Sequence, residues 1–100
     1  MSNKYRFFIA GVKFHDLPSV VEDMKEGEVL TLVNEPENKY DSNAIRIERN
    51  GVMLGYVPAK YSPLITVMMD EEAVQCKVTD VNPQAKPHMM CAVEVGGVDD

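Results

Sequence analysis

Asn50-Gly51 constrains the fold more than any other pair in this chain. It separates two alternating segments, Asn43 to Arg49 and Val52 to Pro58, and both of its residues accept the left-handed backbone that a two-residue primed turn requires. The flanking segments must therefore pair antiparallel. In the first, Ile45 and Ile47 face inward while Arg46 and Glu48 face water.

The rest of the chain extends that pattern. Tyr5 to Phe14 is rich in aromatic and β-branched residues and reads as a long first strand bent at Gly11. At least one of the Phe7 and Phe8 rings belongs in the core, and Phe14 is the ring expected to be exposed. Glu28 to Asn34 places Leu30 and Leu32 on one face of a strand. Val74, Cys76 and Val78 alternate, as do Met89, Cys91, Val93 and Val95, and Gly96 to Asp100 reads as a frayed tail. Two short helices interrupt the strands: one capped by Asp16, running to Met24 and stopped by Gly27, and one over Pro63 to Asp70 capped by Ser62. Asp70-Glu71-Glu72 ends the second, because carboxylates near a helix C-terminus oppose its dipole. Most connections are too short for parallel crossovers. The expected architecture is mainly β: an OB-like, antiparallel, six-stranded and partly closed barrel with two flanking helices.

A length of 100 residues with 45% hydrophobic content suits a single domain, with an ordered core over about residues 4–95. No window is long and apolar enough for a membrane span, and the first ten residues lack a signal-peptide pattern, so a soluble, cytoplasmic protein is expected. Cys76 and Cys91 stand far apart in apolar contexts and read as free buried thiols. Seven methionines and no tryptophan suggest a soft core and imply no cofactor. His15 and His88 are isolated from other ligands, so no metal site is expected. No nucleophile has a recognisable base partner, and no catalytic residue is assigned.

The formal net charge is -6. That excludes coating duplex DNA by phosphate neutralisation, which needs a basic face. A short single-stranded end is still compatible, because stacking and a few lysines can hold it. The loop from Asn38 to Ile45 offers suitable groups: Asn38, Lys39, Tyr40, Asp41 and Asn43 crowd an aromatic ring, a carboxylate and amides between two strands. Asp41 has two readings. It caps the backbone by accepting amides two residues on, or it accepts a ligand hydroxyl. Asn43 is expected to pin the loop, Gly55 to permit close packing or a bulge, and Tyr40 and Tyr56 to be either wet rim residues or stacking platforms.

Phe8 to Phe14 with its Gly11-Val12, Gly27-Glu28-Val29-Leu30, Glu35 to Ile45, and Leu54-Gly55-Tyr56-Val57-Pro58 together resemble the HIRAN domain family, over nearly the whole chain and in the family's order. The resemblance implies an OB-like barrel that binds DNA. In eukaryotes the domain is typically attached to Swi/Snf-class ATPases and captures single-stranded 3′ ends at stalled replication forks. No GxxxxGK[ST] loop is present here, so a helicase, ATPase or nuclease would be a separate partner. Carried over by position, Asp41 resembles the acceptor for the 3′-hydroxyl, Tyr40 the stacking ring, and Asn38 a polar contact. Lys13 and Lys60 stand at phosphate-contacting positions, and Phe14 and Tyr56 at aromatic ones. Lysine at position 13 grips phosphate as a point charge without a guanidinium's fork. The loop from Gln84 to His88 lacks an aromatic stacker. The leading expectation is a non-catalytic module for single-stranded DNA 3′ ends in DNA repair or fork processing. The alternatives are a protein-interaction module and a metal-dependent hydrolase using Asp41 with Asp70 to Glu72.

Overall fold

In a computed structural model that describes residues 3–12 and 16–98, the chain forms a six-stranded antiparallel sheet with two helices. The strands are β1 (Tyr5–Phe8), β2 (Val29–Asn34), β3 (Ile45–Arg49), β4 (Val52–Tyr56), β5 (Val74–Val81) and β6 (Cys91–Gly97). The helices are α1 (Leu17–Val20), continued by a 3-10 turn over Val21–Asp23, and α2 (Ser62–Glu71). Strand order is β1-β6-β5-β2-β3-β4. Asn50 (φ 51°) and Gly51 (φ 82°) both take the left-handed backbone, as the primed turn between β3 and β4 demands.

The sheet curls because it is interrupted at defined places. Register shifts between Ile47 and Glu48 against β4, and between Val78 and Asp80 against β6, add local twist. Curling brings the chain just past β1 to the far edge: the Ala10 amide donates to the Tyr56 carbonyl and the Tyr56 amide to the Ala10 carbonyl, each at 2.8 Å. This seam turns a sheet into a partly closed barrel. Gly55 makes it possible, since a Cβ there would stand 2.3 Å from the Ala10 carbonyl oxygen and 2.8 Å from Ile9 Cγ2. Beyond Tyr56 the seam stops. Pro58 has no amide to donate, and its carbonyl accepts from Tyr61 as the chain turns into α2.

Inside the barrel Ile9, Ile45, Ile47, Leu54, Val93 and Val95 are fully buried, with Leu17 and Ile65 closing it from the helices. The core is thus mostly branched aliphatic. Met24 and Met68 are the buried methionines among the described residues, and Met69 and Met90 pack against the core. Phe7 is buried and stacks on Tyr61 with centroids 5.5 Å apart, whereas Phe8 is exposed. Cys76 and Cys91 are buried free thiols, each pushed up to about 12 chiefly by desolvation.

Several boundaries differ from the sequence reading. The first strand ends at Phe8, past which Ala10 pairs with Tyr56 and Gly11 turns with φ 66°; Lys13, Phe14 and His15 lie outside the described residues. Asp16 accepts from Ser19 through its carbonyl and gives α1 no side-chain cap. Met89 sits in an exposed 3-10 turn, and β6 begins only at Cys91. The expected tail is strand at its start, since Gly96 and Gly97 pair with Gln75 and Val74 and are buried. Ser62 lies within the first turn of α2 behind Tyr61 and is completely buried.

Replacing Gly55 with alanine forces backbone atoms of the seam apart, and the expected cost is about 2–3 kcal/mol. At Gly51 a Cβ meets nothing within 4 Å, so alanine there pays only for its positive φ, about 1 kcal/mol. Urea unfolding of both variants measures the difference. A Gly55→Ala protein as stable as the parent contradicts the seam's role.

Candidate nucleic-acid interface

Between β2 and β3 the chain makes a long excursion whose base is closed by Glu35 N–H donating to the Ala44 carbonyl at 2.8 Å. Its interior is fixed by two side chains. Asn38 Oδ1 accepts from the Tyr40 and Asp41 amides at 2.9 and 3.1 Å, and Asn38 Nδ2 donates to Glu35 Oε1 at 3.0 Å. Asp41 Oδ1 then accepts from the Asn43 amide at 2.8 Å. Asn43, expected to pin the loop, enters this network through its backbone, and Asn38 and Asp41 supply the pinning side chains. Both are Asx arrangements in which a short polar side chain replaces a missing backbone partner.

Glu35 is the hub. Its Oε1 also accepts from the Tyr56 hydroxyl at 2.9 Å, and its Oε2 from the Arg46 guanidinium at 3.3 Å, which reaches Glu48 at 2.5 Å. Burial pushes the Glu35 carboxyl up, but donation from Asn38, Tyr56 and Arg46 outweighs it and holds the group below its ordinary value. Tyr56 moves the other way. Burial, followed by its bond to an ionised acceptor, raises its phenol.

The loop forms one wall of a groove of about 460 Å³. Ala10, Gly11, Tyr56 and Val57 line it from the barrel, and Asn38, Tyr40 and Asp41 from the loop. The seam therefore supplies one side of the site. A Cβ on Gly11 would come within 3.5 Å of the Tyr56 ring, so the bare glycine leaves that ring accessible. Tyr40 is 96% exposed, its ring unsupported by the core. Asp41 is half-buried, and its Oδ2 accepts from the Ser62 hydroxyl at 3.2 Å.

Of the residues singled out by sequence, Asn38, Tyr40, Asp41 and Tyr56 converge on this groove. Lys60 is exposed and follows Ala59 on its rim, with Nζ 4.9 Å from the Tyr61 ring centroid. Lys13 and Phe14 lie outside the described residues. The arginines of the described sheet are engaged elsewhere: Arg6 with Asp80, Arg46 with Glu35 and Glu48, and Arg49 with Glu28. Sequence reasoning gave Glu35 and Ser62 no site role. Glu35 lies three residues before Asn38, a spacing with local meaning; Ser62 carried only a helix-start signal.

Asn38→Ala removes one donor and one double acceptor, and amide exchange at Tyr40 and Asp41 is expected to accelerate about tenfold. A depressed carboxyl stabilises above its unfolded value, near 4.5 for Glu35, and that contribution disappears as pH falls through the lower folded value. Hydrogen exchange should therefore find the loop ordered at neutral pH and loosened under acid conditions below that range. A Glu35→Gln variant should lack the acid transition.

Comparison with known proteins places this geometry. A sequence model of the HIRAN domain matches residues 2–96. A Fanconi-associated nuclease 1 homolog of Oryza sativa subsp. japonica is 29% identical over 81% of this chain and 9% of its own length. The homolog from Arabidopsis thaliana is 38% identical over 64% of this chain and 7% of its own. The chain thus spans less than a tenth of these plant relatives. Among solved structures, the HIRAN domain of human HLTF superposes with TM-score 0.73 at 18% identity, over 95% of this chain and 77% of that one. A Lactobacillus plantarum protein gives 0.72 at 21% identity, over 97% and 99%. These identities carry the fold alone, but with the sequence match across almost its full length the chain belongs to the HIRAN domain family.

Proposed function

We propose that this chain is a non-catalytic nucleic-acid-binding module whose groove holds the 3′ end of single-stranded DNA, in DNA repair or replication-fork processing. One observation carries the reading: an unsupported ring, Tyr40, and a half-buried carboxylate, Asp41, sit side by side on a groove that contains a second ring, Tyr56. Stacking on a tyrosine is worth about 1–3 kcal/mol per base and tolerates any base. A carboxylate accepts from a terminal hydroxyl and repels a continuing phosphate, so the acidic member selects ends. Lys13 and Lys60 would contact phosphates. The plant relatives are named as nucleases, so a nuclease, helicase or ATPase is the class of protein such a module would serve.

Fluorescence anisotropy with matched oligonucleotides tests this. A 3′-hydroxyl strand should bind more tightly than a 3′-phosphate strand, and Asp41→Ala should remove the difference. Two phosphate contacts predict a slope of log K against log salt of about -1.4, reduced by about 0.7 in Lys60→Ala. Equal affinity for both ends would sink the end-recognition reading.

A protein-interaction role is favoured by a different surface. A groove of about 500 Å³ runs along α2, where Leu64 and Val67 are exposed beside Tyr5 and Met68, with Glu71 and Glu72 at its rim. An apolar segment flanked by lysine or arginine would suit it. Val67→Glu should abolish capture of such a partner and leave oligonucleotide binding unchanged; loss of both would count against separate surfaces. The hydrolase alternative finds no support in placement. Among the described residues no three metal-ligating side chains converge. Asp41 lies at the start of α2 and Glu71 at its end, about 15 Å along the axis.

A further inference from the structure

Ser62 is the one buried polar residue of the described core, with 0% of its surface exposed. A helix-starting serine normally bonds its own first turn and faces water. This one does neither. Its hydroxyl lies 3.2 Å from Asp41 Oδ2 and 3.2 Å from the Ala59 carbonyl oxygen, and both Asp41 and Ala59 line the groove while Ser62 does not. The residue is a strut behind the wall.

A serine hydroxyl has a single proton, so it serves only one of these two acceptors at a time. Asp41 Oδ1 already accepts from the Asn43 amide at 2.8 Å. Oδ2 is therefore the oxygen that Ser62 controls. From this geometry we infer that Ser62 is a positioning residue for Asp41, one that holds the carboxylate plane so that Oδ2 faces the groove to accept the ligand's hydroxyl. Ser62 donates to Oδ2, the charged and stronger acceptor of the two, and fixes the carboxylate plane. A carboxylate oxygen accepts more than one hydrogen bond, so a terminal hydroxyl can donate to Oδ2 while Ser62 still holds it. A 3′-phosphate, with a second pKa of about 6, is mostly ionised above neutral pH and then has no proton to donate. It would meet a carboxylate held in place by Ser62.

This inference rests on the 3′-hydroxyl reading of Asp41, and its test separates the two. The same pair of oligonucleotides, ending in 3′-hydroxyl or 3′-phosphate, is titrated against the full chain and its Asp41→Asn, Ser62→Ala, Ser62→Cys and Ser62→Thr variants, each first checked by thermal melting. The cysteine variant preserves side-chain size where alanine leaves a void, and a thiol donates only weakly. The expected result is a fall of about fivefold in the hydroxyl-over-phosphate preference for Ser62→Ala and Ser62→Cys, with 3′-phosphate affinity unchanged. Ser62→Thr, which keeps the hydroxyl, should restore the preference. A general structural defect would instead weaken both ligands together, and that outcome overturns the inference. So does an unchanged preference in folded Ser62→Ala or Ser62→Cys while Asp41→Asn loses it. If Asp41→Asn also keeps the preference, the end-recognition reading fails first.

Discussion

The backbone exchange between Ala10 and Tyr56 is the contact on which the rest of the molecule depends. Two hydrogen bonds of 2.8 Å are modest in energy, about 0.5–1.5 kcal/mol each, but they decide topology. Without them β4 is an open edge and the segment after β1 keeps only the Ile9 amide's bond to the Cys91 carbonyl. With them the sheet curls around Ile9, Ile45 and Leu54, and Gly11 and Tyr56 are brought to one lip. The close approach is available only because residue 55 has no side chain. A glycine that looks like a packing detail therefore sets both the closure of the barrel and one side of the groove.

A second level of order is polar. Glu35 gathers the Asn38 amide, the Tyr56 hydroxyl and the Arg46 guanidinium, tying the loop to β3 and β4. Hydrogen bonds to an ionised acceptor are stronger than neutral ones, and a half-buried site shields them from water. The loop can thus project Tyr40 into solvent and still hold a defined backbone. An exposed ring on an ordered loop loses little entropy on stacking, which is a useful property in a binding surface.

The strands were legible because their cues are local. The Asn50-Gly51 turn and the alternation through Ile45 and Ile47 place β3 and β4 within a residue or two, and the same holds for β2 and most of β5. The chain ends were misjudged for a physical reason: Gly96 and Gly97 look like tail but are held by pairing to β5, a partner distant in sequence. Helix caps failed similarly. Asp16 and Ser62 have the chemistry of caps, yet the Asp16 side chain caps nothing and Ser62 is drawn into a buried bond with Asp41. In the candidate site, Asn38, Tyr40 and Asp41 could be named from one loop, whereas their support by Tyr56 and Ser62 joins that loop to β4 and α2.

By itself the sequence determined the antiparallel character, the turn at Asn50-Gly51, the family, and the loop whose side chains are candidates for contact. Those follow from turn chemistry, period-two alternation and residue order, which act over a few neighbours or are carried by the order itself. Tertiary structure alone decided that the sheet closes at Ala10 and Tyr56, that Glu35 ties the loop to Tyr56 and Arg46, and that Asp41 rests against α2. Each of these depends on atoms far apart in sequence meeting within about 3 Å, and no local propensity encodes that distance.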